Sequence, residues 1–540
     1  MSATVGTLLV DLLAANDVDT VFGIPGVHTL DLYRGIAASR LRHVLVRHEQ
    51  NAGFAADGFA RSSGRIAAAF VISGPGLTNI LTAVGQAYSD SVPLLVIAST
   101  PVRTAAGKQW GVLHELRDQS AVAAGLFGVA RSASSAEDVR DHLRACLAAL
   151  RTGRRRPAYL EIPLDVLGAP TTLAAERFAA PPPLPVPPPE QVAAAARVLA
   201  AAQRPLVIAG GGATGAAAEL AQLVDTLDAL LVTTTAGKGV LPERHGASLG
   251  ASLPYPETRA LAVAADVIVA VGTEMAETDL FTSLRLPLHG QLIRIDVDEA
   301  KLADQCGAQW PIWGDARGAL GSLNSALASL HGASASRNGA LVPRSGWNTA
   351  IGGAQRVRAQ IDRSFGPDAR AQLAVLHAIR AALPADGAVF SDMTQIAYLG
   401  NYAFAADRPG QWFHPSGYGT LGFALPAALG AKIAAPARAI VALAGDFGVQ
   451  FTLQELMTAV EQGHSLPIIV WNNTALGQIR DDMVAAGIAP IGVVGRNPDF
   501  VALAHACGAA AVRLHGAEGV AAAVRAALER PGPTLIEIVA

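Results

Sequence analysis

The amino-acid sequence predicts an α/β protein with three doubly wound, parallel-sheet domains. Unbroken apolar runs of strand length alternate with helical patterns along the chain, as in parallel sheets that are covered on both faces. Two stretches interrupt this alternation: Pro181–Glu190 is too rich in proline for a helix or a central strand, and His331–Ser345 is small and polar. They delimit domains predicted over about 1–170, 190–330 and 346–540, each of ordinary size.

The composition is that of a globular protein with large buried cores, since 51% of the residues are hydrophobic and 16% are charged. A net charge of -3 offers no basic excess for neutralising phosphates, so we expect no nucleic-acid partner. The three cysteines, Cys146, Cys306 and Cys507, are too widely separated for a metal site or a disulfide framework. No apolar run has the length of a membrane span, and the first residues favour a helix over a signal peptide, so we expect a cytoplasmic protein without a membrane partner.

Each predicted domain contains a strand that leads directly into a glycine-rich turn, a combination typical of ligand-binding α/β sheets. The strands and turns are Ala67–Ser73 with Gly74-Pro75-Gly76, Pro205–Ala209 with Gly210-Gly211-Gly212, and Ile440–Ala444 with Gly445-Asp446-Phe447-Gly448. The first and last domains also end in similar sequences, Pro157–Ile162 and Pro533–Ile538. This similarity favours two related domains that flank a third.

The most informative local pattern consists of Gly445-Asp446 at the end of one predicted strand and Asn472-Asn473 at the end of another. The interval between Asp446 and Asn473 is long enough for one crossover helix and one strand. Both side chains are therefore expected at the carboxyl edge of adjacent parallel strands, where open α/β sheets bind ligands. Carboxylate and amide oxygens suit Mg²⁺ that shares its other ligands with diphosphate and water.

This pattern resembles the signature of thiamine-diphosphate-dependent enzymes, in which a Gly-Asp-Gly sequence precedes paired asparagines. Phe447 stands at the third position instead of glycine, although Gly448 follows immediately. Further segments resemble the same family in the same order and span nearly the whole chain: Val21–Gly26, His48–Ala52, Ser73–Asn79, Ile293–Asp298 and Ser416–Pro426. The chain is identified as a member of this family, in the branch of acetolactate synthases and 2-oxo acid decarboxylases. The resemblance implies a pyrimidine-binding domain, a central Rossmann-like domain and a diphosphate-binding domain.

The resemblance also implies thiamine diphosphate and Mg²⁺ as cofactors, with Asp446, Asn473 and Ala475 as metal ligands. Glu49 would bond to the ring nitrogen N1′ of the aminopyrimidine, and the Gly419 carbonyl would accept a hydrogen bond from its 4′-amino group. The residues implied to contact the cofactor are Pro25, Gly26, Asn79, Thr394, Gln395, Gly419, Leu421, Gly445, Phe447 and Gly448. Because the family builds each site from two subunits, a homodimer or homotetramer is expected.

Two departures from the family pattern count against acetolactate synthesis. Asp482 stands where acetolactate synthases carry a substrate-selecting tryptophan, and Thr273–Glu277 replaces the Arg-Phe-Asp-Asp-Arg run that contacts FAD, so FAD is not expected. We therefore predict non-oxidative decarboxylation of a 2-oxo acid through the ylide and enamine forms of the cofactor. His114 stands where pyruvate decarboxylases carry adjacent histidines; it could relay a proton, or it could be an ordinary hydrogen-bonded residue.

Two adjacent acids, Asp481 and Asp482, bear on the substrate. If they point into the site they favour a guanidinium tail, and hence 5-guanidino-2-oxopentanoate, a substrate class known in this family. They could instead lie on a solvated helix face beside Arg480. The alternative enzyme is an acetolactate synthase or a related carboligase. A distant alternative is a non-catalytic nucleotide-binding protein built on Gly210-Gly211-Gly212, which is a weak motif.

Overall fold

The computed structural model describes residues 3–181, 183–184, 186–281, 284–335 and 346–540. The chain divides into two compact units. The first comprises Met1–Pro182, Ala382–Ala397 and Gly417–Ala540, and the second comprises Pro183–Ala381 and Tyr398–Ser416. The described strand pairs in all three sheets are parallel, which confirms the predicted α/β fold class.

The first sheet belongs to the first unit and is formed by the amino-terminal segment. Its strands are β1 (Thr20–Gly23), β2 (Arg42–Leu45), β3 (Ala67–Val71), β4 (Leu94–Thr100), β5 (Val129–Ser132) and β6 (Ala158–Pro163). Its helices are α1 (Val5–Ala15), α2 (Leu30–Ala37), α3 (Glu49–Ser63), α4 (Pro75–Ser89), α5 (Gln119–Ala124), α6 (Ala136–Arg151) and α7 (Leu164–Leu167). The strand order is β2-β1-β3-β4-β6-β5, so crossovers occur on both sides of β1.

The second unit contains the middle sheet and the helices that pack with it. Its strands are β7 (Pro205–Ala209), β8 (Leu230–Thr233), β9 (Val267–Val271), β10 (Gln291–Asp296) and β11 (Trp310–Trp313), in the order β11-β10-β9-β7-β8. The helices are α8 (Pro189–Ala201), α9 (Ala217–Leu227), α10 (Pro256–Ala264), α11 (Glu299–Leu302), α12 (Ala316–Ala335), α13 (Trp347–Ala350) and α14 (Ala354–Ser364), with 3₁₀ turns at Gly211–Ala216 and Glu277–Asp279.

One predicted interruption overlaps the start of this unit, and the other falls within its residue range. Helix α8 begins at Pro189, so the proline-rich stretch ends where a helix starts, at a position that tolerates proline. Helix α12 continues to Ala335, and residues 336–345 of the small, polar stretch lie outside the described residues.

The carboxyl-terminal part of the chain forms the third sheet. Its strands are β12 (Ala388–Ser391), β13 (Trp412–Phe413), β14 (Ile440–Gly445), β15 (Leu466–Asn472), β16 (Ala510–His515) and β17 (Pro533–Val539). Its helices are α15 (Pro367–Ala382), α16 (Gln395–Ala403), α17 (Ala424–Ala434), α18 (Asp446–Gln450), α19 (Glu455–Gln462), α20 (Gly477–Ala485), α21 (Phe500–Ala506) and α22 (Val520–Glu529). Within the first unit the strand order is β12-β14-β15-β17-β16.

The first and third sheets share a topology. In one, β6 lies between β4 and β5, and in the other β17 lies between β15 and β16. The similar sequences at Pro157–Ile162 and Pro533–Ile538 therefore occupy equivalent strands. Both strands are buried along almost their whole length, which explains their continuous apolar character.

The strands that lead to the glycine-rich turns of the first and third sheets are fully buried. Strand β3 and strand β14 have no exposed residue, as parallel strands covered on both faces require. Helices α3 and α17 pack against each other within the first unit, with the rings of Phe54 and Phe423 in edge-to-face contact at 5.5 Å. No helix among the described residues is both long enough and apolar enough to cross a membrane.

Candidate functional site

Asp446 lies at the carboxyl end of β14 and is almost completely buried. Its Oδ1 atom accepts a hydrogen bond from the Phe447 backbone N–H at 3.0 Å, and its Oδ2 atom accepts one from the Asn497 side chain at 2.6 Å. Burial raises the pKa of Asp446, whereas these two donors lower it. The hydrogen bonds orient the carboxylate at the edge of the sheet where a cation could bind.

Asn472 supports this carboxylate from the end of the adjacent strand β15. Its Oδ1 atom accepts a hydrogen bond from Asn497 at 2.9 Å, and its Nδ2 atom donates to Glu537 at 2.7 Å. Glu537 is buried within β17 and also accepts a hydrogen bond from Arg513 at 2.6 Å. The first of the paired asparagines therefore belongs to a hydrogen-bonded chain that runs from β17 to Asp446.

Asn473, the second asparagine, lies in the loop between β15 and α20. Its Oδ1 atom accepts the Ala475 backbone N–H at 3.3 Å, and its Nδ2 atom donates to Gln395 at 3.1 Å. Gln395 in turn donates to Asp481 at 2.7 Å. Gly477 permits this approach, since a Cβ atom at that position would lie 2.6 Å from Asn473 Nδ2 and closer still to Gln395.

The Phe447 ring packs against Gly495 of a neighbouring loop, where there is no side chain. A Cβ atom on Gly495 would lie only 2.7 Å from the Phe447 ring, so the aromatic side chain and the small residue fit each other. Beside them is an open cavity of about 420 Å³ lined by Phe447, Gln450, Phe451, Gly495, Arg496 and Asn497. The motif has Phe447 in place of its third glycine, and the neighbouring loop has Gly495 where the phenylalanine ring needs space.

Asp392, at the end of β12, joins the loop before α16 to the segment before α17. It is fully buried, and its two carboxylate oxygens accept the Gly422 backbone N–H at 3.0 and 2.9 Å. Burial raises the pKa of Asp392 to about 6 against the opposing effect of these backbone donors. Thr394 lies next in the same loop, with its Oγ1 atom 2.8 Å from the position of a Cβ atom on Gly445.

Gly419 and Leu421 lie in the segment that Asp392 holds. Gly419 is exposed and has a positive φ of 70°, a backbone conformation that glycine adopts without strain. Leu421 is half-buried, as a residue that supports a bound group from below would be. Its position is also consistent with ordinary packing.

The candidate residues of the first sheet lie at the carboxyl edge of that sheet. Glu49 begins α3 after β2, is half-buried, and accepts a hydrogen bond from Asn79 of α4 at 2.9 Å. Its neighbours are held by the buried Glu455, which accepts the Arg47 backbone N–H at 2.7 Å and the Asn51 side chain at 2.8 Å.

Pro25 and Gly26 follow β1 at this same edge of the first sheet. The carbonyl of Gly26 accepts the Thr29 backbone N–H at 2.9 Å, which closes the turn before α2.

His114 has a histidine neighbour that sequence analysis did not identify. The rings of His28 and His114 are in edge-to-face contact at 4.9 Å. His28 is buried and its Nδ1 atom lies 2.5 Å from the Ser73 hydroxyl. Burial and the proximity of His114 lower the pKa of His28. The His114 Nδ1 atom is buried and has no hydrogen-bond partner among the described residues.

Asp481 and Asp482 are both exposed on α20 and differ in their contacts. Asp481 accepts hydrogen bonds from Gln395 and, at 2.9 Å, from Arg480. Asp482 accepts one from Gln478, one turn earlier, at 3.0 Å. Asp481 is therefore connected to Asn473 through Gln395, whereas Asp482 bonds within its own helix.

The ligands available for a metal ion are hard oxygen atoms. No cluster of three or more His, Cys, Asp or Glu side chains suited to a metal occurs in the part of the chain that the structure describes. The three residues that the sequence predicts as metal ligands, Asp446, Asn473 and Ala475, offer a carboxylate, an amide oxygen and a backbone carbonyl. Such a set fits Mg²⁺ that takes further ligands from a diphosphate group and water.

The glycine triplet in the second unit has a packing function. Gly212 donates its backbone N–H to the Gly272 carbonyl at 3.0 Å, and Gly210 donates to Val271 at 2.9 Å. The turn after β7 thus lies directly against the end of β9, and the close contact of the two backbones accounts for the small residues there.

Three contributing residues escaped sequence analysis: His28, Asn497 and Glu537. A carboxylate within an otherwise apolar strand signals a buried, paired acid, and this signal could have identified Glu537. Asn497 precedes a proline and is indistinguishable from an ordinary turn residue. His28 lies in a turn, and nothing in its local sequence indicates a partner 86 positions away.

Comparison with known proteins matches the chain to thiamine pyrophosphate enzymes in three places. The profile of their N-terminal TPP binding domain matches residues 3–122, that of the central domain matches residues 192–323, and that of the C-terminal TPP binding domain matches residues 392–538. The three matches overlap the regions of the first, middle and third sheets, and the first match ends before β5 and β6.

Individual relatives cover nearly all of the chain. The "Probable 2-ketoarginine decarboxylase AruI" of Pseudomonas aeruginosa is 47% identical over 539 residues, which are 99% of this chain and 94% of that protein. The "Acetolactate synthase isozyme 3 large subunit" of Escherichia coli is 29% identical over 97% of this chain and 92% of its own length. The "Acetolactate synthase large subunit IlvB1" of Mycobacterium tuberculosis is 31% identical over 93% of this chain and 82% of its own length.

Proposed function

Because this chain belongs to the thiamine pyrophosphate enzyme family, we propose that it catalyses the non-oxidative decarboxylation of a 2-oxo acid, with 5-guanidino-2-oxopentanoate as substrate. The 47% identity to a relative described as a "Probable 2-ketoarginine decarboxylase" supports this reaction. When bound, thiamine diphosphate supplies the electron sink that decarboxylation of a 2-oxo acid requires.

The proposed substrate rests on the hydrogen bond between Gln395 and Asp481. Through Gln395, the Asp481 carboxylate lies two hydrogen bonds from Asn473, a proposed metal ligand. A carboxylate at this edge of the sheet would attract a guanidinium group, which can donate two parallel hydrogen bonds. The adjacent Asp482 adds a second negative charge on the same helix. Arg480 competes for Asp481, so substrate binding would have to displace an exposed ion pair of low intrinsic strength.

Residues of the third sheet would hold Mg²⁺ and the diphosphate group. Asp446, Asn473 and the Ala475 carbonyl would bind the metal. Gly445, Phe447 and Gly448 would present backbone atoms to the diphosphate oxygens, and Thr394 and Gln395 would contact them from the loop after β12. The hydrogen-bonded chain from Glu537 through Asn472 and Asn497 would keep the Asp446 carboxylate oriented toward the metal.

The aminopyrimidine would lie between first-sheet residues of one subunit and residues of the segment before α17 of the other subunit. Glu49 would hold a proton at the ring nitrogen N1′, with its carboxyl group oriented by Asn79. The Gly419 carbonyl would accept a hydrogen bond from the 4′-amino group, and Leu421 would support the cofactor from below. Pro25 and Gly26 would line the opposite side of the ring.

His114 would provide the proton that the reaction consumes. In RCOCOO⁻ + H⁺ → RCHO + CO₂, the bond to the carboxylate breaks and its electron pair stays on the carbonyl carbon. That carbon then takes a proton, which the His114 side chain would donate before recovering one from water. His28, anchored at Ser73, would keep the His114 ring in place.

We propose that the active protein is a homodimer or homotetramer in which Glu49 and Asp446 of one chain serve different sites. Subunit complementation tests this arrangement. Glu49→Gln and Asp446→Asn variants should each be inactive, and mixing them under subunit exchange should restore part of the activity, because one site in each heterodimer is then intact. A mixture that remains inactive despite verified exchange would contradict sites shared between subunits.

The decisive measurement is CO₂ release with Mg²⁺ and thiamine diphosphate from 5-guanidino-2-oxopentanoate, pyruvate, 2-oxobutyrate and benzoylformate. We expect the guanidino acid to be preferred, with the aldehyde as product. Asp481→Asn and Asp482→Asn should each lower kcat/KM for this substrate, by roughly 10-fold or more for Asp481, since a charge-assisted hydrogen bond is lost. The exposed Val484→Ala change on the same helix is the control. Unchanged kcat/KM in both aspartate variants would overturn the assigned substrate.

The alternative is a carboligase that forms acetolactate. Relatives described as acetolactate synthases support it, with identities of 29% and 31% over more than nine-tenths of this chain. Preference for pyruvate with acetolactate as product would establish this alternative. FAD would remain absent from the purified protein in our proposal, because the Thr273–Glu277 segment differs from the FAD-contacting run.

A further inference from the structure

The segment Gly417–Thr420 is anchored on both sides of Gly419 by the end of a single helix. The Thr420 backbone N–H and hydroxyl group donate to Gln86 Oε1 at 3.3 and 2.9 Å. The Gly417 backbone N–H donates to Asp90 Oδ1 at 2.8 Å. Gln86 lies in the last turn of α4, and Asp90 caps that helix. Two acceptors one helical turn apart therefore hold the residues that flank Gly419.

These acceptors are themselves held by a buried network. Gln86 donates to Asp90 Oδ2 at 2.7 Å, and Arg61 of α3 donates to the same atom at 2.7 Å. Arg61 also bonds to Asp57 at 2.5 Å, and Gln86 and Asp57 are completely buried. Because each side chain has its partners within the network, the two acceptor atoms have little freedom to turn away from the segment.

Gly419 takes its orientation from these neighbours. Among the described residues it makes no hydrogen bond of its own, and its positive φ of 70° allows a conformation that most side chains would resist. Beyond Thr420 the chain is fixed again, since Gly422 donates to Asp392 and its carbonyl accepts the Thr452 hydroxyl at 2.9 Å. The direction of the Gly419 carbonyl is therefore set by anchors on either side.

We propose that Gln86 and Asp90, held by Arg61, are positioning residues that aim the Gly419 carbonyl at the 4′-amino group of thiamine diphosphate. This inference rests on the proposed function in assigning that role to Gly419. A hydrogen bond weakens steeply when its angle departs from linearity, so a small rotation of an unanchored carbonyl would forfeit it. The anchors come from the helix whose other end carries Asn79, the partner of Glu49.

The test compares the binding of thiamine diphosphate with that of its analogue lacking the 4′-amino group, each with Mg²⁺, by titration calorimetry and without substrate. We expect the wild-type protein to prefer thiamine diphosphate by roughly 3- to 10-fold, as one neutral hydrogen bond allows. Gln86→Met should reduce this preference toward unity and leave the affinity for the analogue nearly unchanged. Thr82→Ala, an exposed change on the same helix, is the control and should retain the preference.

Full preference in a folded Gln86→Met protein would overturn the inference. If thermal melting shows that Gln86→Met does not fold, Thr420→Val decides, because it replaces only the hydroxyl group with a methyl group. Reduced preference supports the inference, and unchanged preference overturns it. Wild-type protein that binds both compounds equally would also overturn it, while the decarboxylase proposal would still be decided by CO₂ release. Failure of the wild type to bind either compound would overturn both.

Discussion

Asn497 donates its side-chain amide to Asp446 Oδ2 at 2.6 Å, although 51 positions separate the two residues. The same amide group also donates to Asn472 at 2.9 Å, so it bridges the ends of two adjacent strands. A carboxylate that must bind a cation in a defined direction benefits from a neighbour that fixes its orientation.

Loss of this bridge should weaken cofactor binding. We expect Asn497→Ala to raise the Kd for thiamine diphosphate at fixed Mg²⁺ by roughly 10- to 100-fold, the range typical of residues that orient metal ligands. Titration calorimetry checks this change, and the exposed Val494→Ala variant in the same loop serves as control. An unchanged Kd in Asn497→Ala would show that Asp446 does not need this support.

Gly477 should be essential for the geometry around Asn473. We expect Gly477→Ala to break the Gln395–Asn473 hydrogen bond, because the new methyl group would lie 2.6 Å from Asn473 Nδ2. Cofactor affinity should fall roughly 10-fold while the protein remains folded, as measured by calorimetry and by thermal melting. Gly318→Ala is the matched control, since nothing lies within 4 Å of a Cβ atom there. Equal cofactor affinities in the two variants would contradict the prediction.

Phe447 and Gly495 should be energetically coupled. In the presence of Phe447, Gly495→Ala should lower the free energy of unfolding by about 1–3 kcal/mol, because its methyl group would meet the aromatic ring at 2.7 Å. In the Phe447→Gly background the same change should cost less than about 0.5 kcal/mol. Denaturant unfolding of the four proteins in this double-mutant cycle gives the coupling. Additive effects would mean that the ring moves aside without cost.

Asp392 should make stability depend on pH in the mildly acidic range. Its pKa of about 6 in the folded protein lies above the ordinary value of 3.8, so the fold favours the protonated form. The stabilisation is present at low pH and is lost as the pH rises through 6, amounting to about 2 kcal/mol between about pH 4.5 and about pH 7. Over this range the stability of the wild type relative to Asp392→Asn should fall by that amount in denaturant unfolding. A difference that stays constant with pH would be incompatible with a raised pKa.

Parts of the candidate site follow a general rule and were predictable. Asp446 and Asn473 are polar residues at the carboxyl ends of buried strands, and parallel pairing of β14 with β15 brings such ends to one edge. Glu49 and Asn79 belong to motifs that resemble known cofactor-binding segments, but their mutual hydrogen bond could not be inferred from either motif. Asp481 and Asp482 show the limit of prediction from sequence. The sequence shows that the two acids are adjacent, but only the side-chain geometry shows that Asp481 is the one that bonds to Gln395.

The sequence by itself determined the α/β class, the parallel sheets and the family, because apolar periodicity and ordered motifs are local properties that survive without coordinates. Tertiary structure alone decided that Asn497 and Glu537 support Asp446, that His28 accompanies His114, and that Gln86 and Asp90 anchor the residues around Gly419. These partners come from segments distant in sequence, and a polar side chain finds its hydrogen bonds by proximity in the folded chain. The type of such a residue does not indicate which distant residue will become its hydrogen-bond partner in the folded protein.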